Sequence, residues 1–161
     1  MPDPGHILVV CTGNICRSPM GQGLLAHALS AQPEPLRSLK VISAGVAAYP
    51  GQPISENSFV ALRKVGIDIS HLRSQGLTQK MLDEALVVLA MTESHRSIIR
   101  ARARPAPAHL YLFREFLPPP AAKEIGDPFG GPLKLYETVR DEMVEAVPSL
   151  IELLKRLTAK P

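Results

Sequence analysis

Two short runs, Ile7-Leu8-Val9-Val10 and Ala85-Leu86-Val87-Val88-Leu89-Ala90, are apolar at every position. A strand with one face in water alternates apolar and polar residues. An unbroken run of this length reads as a strand covered on both faces, which is the habit of parallel sheets. A parallel neighbour needs a crossover, usually a helix. The intervening sequence supplies such helices. Ser18-Pro19 reads as an N-cap and first helical residue, followed by an apolar face of Met20, Leu24, Leu25, Ala28 and Leu29. Ser55 caps a second helix with Phe59, Leu62 and Val65 on one side, closed by Gly66. Thr78 to Leu82 reads as a short helix. Thr92 caps another that passes Ile98 and Ile99 into the cluster Arg96, Arg100, Arg102 and Arg104. Leu39 to Ser43 and His109 to Leu112 supply two more strands. A long amphipathic helix runs from about Leu133 to Leu157, with a kink or break expected at Pro148. The expected fold is one α/β domain spanning residues 1–161: an open parallel sheet of about four strands with helices on both faces. Ligands of such sheets bind beyond the carboxyl ends of the strands.

Composition narrows the function. No apolar run approaches the roughly 18 residues of a membrane span, and the first residues lack the basic start and apolar stretch of a secretory signal. A cytoplasmic protein without membrane partners is expected. The net charge is +3, and the arginine cluster supplies much of the excess, as cations at a helix end or as an attraction for anions. Aromatic residues are only 4%, and no recognition motif is present, so nucleic acid is not an expected partner. The chain has two cysteines, Cys11 and Cys16, too few for a disulfide framework and without a Cys/His cluster for zinc. No metal or other cofactor is expected.

The chemistry concentrates in Cys11-Thr12-Gly13-Asn14-Ile15-Cys16-Arg17-Ser18. A strand, a glycine-containing loop and a helix N-terminus together make an anion site, because successive backbone N–H groups curl around an oxyanion and the helix dipole favours negative charge. Gly13 is expected to provide the positive φ of such a curl. Arg17 offers a planar fork to two phosphate oxygens. The same donors favour a thiolate at Cys11 over the thiol, and the Ser18 hydroxyl can donate to the sulfur. That arrangement suits in-line attack on phosphorus and a cysteinyl-phosphate. A carboxylate must then protonate the leaving group and later activate water. Asp127 is the candidate, in a loop stiffened by Pro128 and freed to fold over a site by Gly130-Gly131.

The strand–CTGNICRS–helix opening with Pro19-Met20, and the Asp127-Pro128-Phe129 loop, resemble the low-molecular-weight protein tyrosine phosphatases. The likeness runs from Ile7 to about Leu157. It implies that Cys11 is the nucleophile, Arg17 holds the phosphoryl oxygens and Asp127 is the general acid and base. It further implies that Thr12 to Cys16 cradle the phosphate, that Asn14, Ser43 and His71 hold the loop in shape, and that Ser18 sits beside the sulfur. Cys16 matches a second cysteine that forms a reversible disulfide with the nucleophile. Phosphorylated proteins and inorganic oxyanions are the implied partners. Ser43-Ala44-Gly45-Val46, Ser74 to Thr78, Leu89-Ala90-Met91-Thr92 with His95, and Asp127 to Gly131 resemble the bacterial protein-arginine phosphatase branch. That branch usually has threonine where this chain has Ile15. Ile15, Tyr49 and Phe129 are expected to line the substrate pocket, where isoleucine offers only apolar contact. Phosphotyrosine is therefore the expected substrate and phosphoarginine the alternative. A thiol-dependent arsenate reductase, another user of this anion loop, is a third reading, but it lacks a downstream cysteine for an internal relay.

Overall fold

The computed structural model describes residues 3–159. Strands β1 (His6–Cys11), β2 (Val41–Gly45), β3 (Ala85–Ala90) and β4 (Leu110–Leu112) form one fully parallel sheet in the order β2-β1-β3-β4. Helices α1 (Arg17–Ser30), α2 (Glu56–Arg63), α3 (Gln79–Asp83), α4 (Glu93–Arg102) and α5 (Leu133–Thr158) complete the fold. No described helix is long and apolar enough to cross a membrane.

The continuous apolar runs are explained by the two cores they separate. Alternate residues of a strand face opposite sides. Ile7, Val9, Val87 and Leu89 join Met20, Leu25, Leu62, Met143 and Leu150 of α1, α2 and α5 on one side. Leu8, Val10, Val88 and Ala90 join Leu82 and Ile99 of α3 and α4 on the other. The expected α/β sheet with helices on both faces is the one observed. Both central strands, β1 and β3, end at the same edge, so the loops after Cys11 and Ala90 emerge side by side.

Local expectations differ at several places. Helix α1 begins at Arg17, with Cys16 at the N-cap position and no side-chain cap, so Ser18 does not cap it. Pro19 is tolerated because it lies in the first turn, where N–H groups lack helical partners anyway. Strand β2 lies two residues beyond the expected segment. In α2 the buried positions are Ser58, Ala61 and Leu62, whereas Val65 is exposed beyond the helix end. Gly66 follows with φ +84°, as a helix stop requires. Helix α5 is not broken at Pro148. That residue lies on the exposed side, where water can satisfy the carbonyl its missing N–H leaves free. In the arginine cluster, Arg96 pairs with Glu93 and Glu115, Arg102 donates to the Val46 carbonyl (2.8 Å) and Arg104 to the Ala103 carbonyl (2.7 Å). Three of the four arginines thus tie down the fold.

Candidate active site

The loop after β1 turns its carbonyls outward. Val46 N donates to Cys11 O (3.0 Å), Ala47 N to Thr12 O (2.9 Å), Ser55 N to Ile15 O (2.8 Å) and the Ser58 hydroxyl to Cys16 O (3.2 Å). Among the described residues, the amides of Gly13, Asn14, Ile15 and Cys16 donate no hydrogen bond. A loop whose acceptors are consumed and whose donors are left over can receive an anion.

The left-handed residue of this loop is Asn14, at φ +56°, and not Gly13 as expected. Asparagine tolerates that conformation when its side chain bonds locally. Here it makes three bonds. Asn14 Nδ2 donates to Ser18 Oγ (2.7 Å) and Ser43 Oγ (2.9 Å), while Oδ1 accepts from Gln75 N (2.9 Å). Ser43 Oγ in turn donates to Gln22 Oε1 (2.6 Å), and Gln75 Nε2 donates to Ser43 O (2.9 Å). His71 was expected in this network; it is exposed and takes no part, and Gln75 and Gln22 occupy that role. Gln22 was detectable, because it stands one helical turn after Ser18 on the same face. Gln75 was not, since its key contact uses a backbone amide 61 residues away.

Gly45 carries a constraint of close approach. A Cβ there would collide with the Thr12 carbonyl oxygen and stand 3.0 Å from Asn14 N. Gly45→Ala is therefore expected to cost about 1–3 kcal/mol of stability and to weaken competitive inhibition by orthophosphate, as read by denaturant melts and inhibition constants. Unchanged values in both would show that the cradle does not depend on this contact.

Cys11 is buried at the end of β1, its Sγ 2.9 Å from Ser18 Oγ. Ser18 already accepts from Asn14, which leaves its own proton for the sulfur. Arg17 is 4% exposed; Nη1 donates to Ile125 O (2.8 Å), and Nη2 lies 3.5 Å from Thr12 Oγ1 and 3.8 Å from Asp127 Oδ2. Its buried Nε has no partner. A buried unpaired donor is costly, and an oxyanion in the loop would relieve it. Asp127 Oδ1 accepts from Phe129 N (3.1 Å), which folds the loop so that Oδ2 turns toward Arg17. A cleft of about 370 Å³ opens over Cys11, Gly13 and Arg17. Ile15, Tyr49, Asp127 and Phe129 line it, and both rings stand out of the protein, 75% and 68% exposed. Ser74, a residue without an expected role, pins the Tyr49 segment: its hydroxyl bonds to the Tyr49 carbonyl and accepts from Gln52 N (2.9 Å).

Cys16 lies on the helix side, against Ser55 Oγ (3.0 Å) and Tyr136 OH (3.5 Å). Burial pushes its thiol up, and burial together with Cys16 pushes the Tyr136 phenol up to about 12. Both cysteines are free thiols. His95, from the first turn of α4, is buried with Nε2 2.8 Å from Thr12 Oγ1 and Nδ1 3.1 Å from Thr92 Oγ1. Burial, reinforced by the Arg17 charge, holds its imidazole down at about 4.

Known proteins share this architecture. A protein-arginine-phosphatase from Geobacillus stearothermophilus is 38% identical over 152 residues, covering 94% of this chain and 97% of that protein. The low molecular weight protein-tyrosine-phosphatase Etp of Escherichia coli K12 is 33% identical over 133 residues, 83% of each chain. The crystal structure of a low molecular weight protein tyrosine phosphatase from T. tengcongensis superposes with a TM-score of 0.83 at 33% identity, covering 92% of this chain and 99% of that one. The family model described as low molecular weight phosphotyrosine protein phosphatase matches residues 6–160. With the cradle after β1, the buried arginine and the Asp127 loop in place, the chain belongs to the low molecular weight phosphotyrosine protein phosphatase family.

Proposed function

We propose that the protein hydrolyses phosphorylated side chains of proteins through a cysteinyl-phosphate, with phosphotyrosine the preferred substrate. The observation that carries the chemistry is the position of Cys11 Sγ, 2.9 Å from the Ser18 hydroxyl, beneath a cleft shared by Arg17 and Asp127. The phosphoryl oxygens fill the loop, bound by the unused amides and by Arg17. Those donors neutralise charge that grows in the transition state, so the chain carries its own electrostatic catalysis. In the first step the Cys11 sulfur forms a bond to phosphorus as the bond to the tyrosine oxygen breaks, and Asp127 gives that oxygen a proton. In the second, water attacks phosphorus, Asp127 takes its proton, and the S–P bond breaks to release orthophosphate and the thiolate.

Ile15 supports phosphotyrosine. It lines the cleft as an apolar wall below two exposed rings, a slot suited to a phenyl group by stacking. The same rings suit a guanidinium by cation–π contact, and the 38% identical relative is a protein-arginine-phosphatase. Phosphoarginine is therefore the second reading. The test compares kcat/KM on phosphotyrosine and phosphoarginine peptides for the wild type and Ile15→Thr. The wild type is expected to favour phosphotyrosine, and the substitution to shift the ratio toward phosphoarginine by roughly 10-fold or more, the scale of one pocket contact. A wild type that prefers phosphoarginine would transfer specificity from Ile15 to the surrounding framework.

A further inference from the structure

We propose that His95 is a positioning residue that turns the Thr12 hydroxyl into an additional hydrogen-bond donor to the phosphoryl group, beyond the loop amides and Arg17. The inference rests on the phosphatase reading above and concerns a side chain 83 residues from its partner.

Thr92 Oγ1 accepts the backbone N–H of His95 (3.3 Å) as the cap of α4. The same oxygen lies 3.1 Å from His95 Nδ1. If Nδ1 carried the proton, Thr92 would accept twice and its own hydroxyl proton would lose this partner. If Nδ1 is the acceptor, Thr92 donates to it and the hydroxyl proton left over is the one on Thr12; this is the arrangement assigned. The neutral ring, held so by burial and Arg17, then carries its single proton on Nε2. In that tautomer Nε2, 2.8 Å from Thr12 Oγ1, is the donor of the pair. Arg17 Nη2, at 3.5 Å, approaches the same oxygen from the other direction. A threonine oxygen has two acceptor sites and one proton. With both acceptor sites facing donors, the proton has only an outward direction left. Thr12 lines the cleft with Cys11 and Arg17, so an anion seated there meets that proton. In this assignment the capping threonine donates to the ring, the ring donates to Thr12, and the Thr12 hydroxyl faces the substrate. The alternative tautomer would consume the Thr12 proton on His95 and give the anion nothing.

Five variants test this: Thr12→Val, Thr12→Ser, His95→Leu, His95→Gln and the double Thr12→Val/His95→Leu. Each is measured for melting temperature, kcat, KM and competitive inhibition by orthophosphate. Thr12→Val and His95→Leu are expected to raise the orthophosphate inhibition constant and lower kcat, each by roughly tenfold, the scale of one hydrogen bond to a charged group. Thr12→Ser keeps the hydroxyl, and the Gln amide stands where Nε2 stood, so both conservative variants should recover most of the loss. The double variant should be no worse than either single, because both break one path. A structural role for His95 predicts otherwise: a lower melting temperature, losses that add in the double, and a silent Thr12→Val. If Thr12→Val leaves kcat and orthophosphate inhibition unchanged, the proposal falls even if His95→Leu fails to fold. Failure of the phosphatase reading is a separate result, because the wild type itself would then hydrolyse no phosphorylated peptide.

Discussion

Cys11→Ser is expected to end turnover while leaving a folded protein that still binds orthophosphate. The substitution changes one atom at the base of the cleft. The four loop carbonyls remain tied to Val46, Ala47, Ser55 and Ser58, so the cradle keeps its shape. Ser18 can bond to the new oxygen as it does to sulfur. The binding groups, namely the loop amides and Arg17, are untouched. What the proposed mechanism loses is its nucleophile: among the described residues no general base lies in hydrogen-bonding contact with position 11, whose bonded neighbour is the Ser18 hydroxyl. Removing a nucleophile from a site that acts as a unit costs on the order of 10⁴-fold or more in kcat. Single-turnover assays with a phosphotyrosine peptide would read the loss, and isothermal titration with orthophosphate would read the retained binding. A variant that keeps more than a few per cent of wild-type kcat would place the bond-forming atom elsewhere.

How far this site can be read from sequence depends on the range of the forces that build it. Strand β3 was legible to the residue because six consecutive apolar side chains follow Glu84 and dictate its burial. The Thr92 cap was legible for a similar reason: its side chain accepts a bond from an amide three residues on. The start of α1 was not. Ser18-Pro19 carries the local signature of a helix cap, but the Ser18 hydroxyl is engaged by Cys11 and Asn14. A residue recruited to chemistry breaks the local rule that would otherwise explain it. The positive φ expected at Gly13 likewise falls on Asn14. Glycine is the obvious carrier of positive φ, but the loop places Asn14 there because its side chain can reach Ser18, Ser43 and Gln75 at once. Those partners come from α1, β2 and the segment before α3, and no local pattern announces their convergence. His71 entered the expected network through the family resemblance alone; here it is exposed, and Gln75 and Gln22 make the bonds.

Asp127→Ala separates binding from chemistry by moving them in opposite directions. Asp127 is half exposed, and its contact with Arg17 is 3.8 Å long. An ion pair so wet contributes little to stability, and the fold should melt within about 0.5 kcal/mol of the wild type, as for a surface change. Its carboxylate nevertheless stands beside the anion site. Deleting that negative charge removes repulsion from an incoming phosphate and frees the second amino group of Arg17, so orthophosphate should inhibit the variant more strongly. The phenolate, however, must now leave without a proton, and water must attack without a base. Loss of a positioned acid and base costs roughly 10²–10⁴-fold in kcat. The loss should depend on the leaving group. A nitrophenyl phosphate, whose phenolate is stable unprotonated, should suffer less in the S–P bond-forming step than a phosphotyrosine peptide. Burst and steady-state kinetics on both substrates resolve the two steps. A uniform loss of similar size for both leaving groups in the first step would show that Asp127 supplies charge or shape to the cleft without donating the proton. Weaker orthophosphate inhibition would show instead that its chief effect is to hold Arg17 in place, and the acid would then have to be sought outside the residues that line the cleft, among which Asp127 is the one carboxylate.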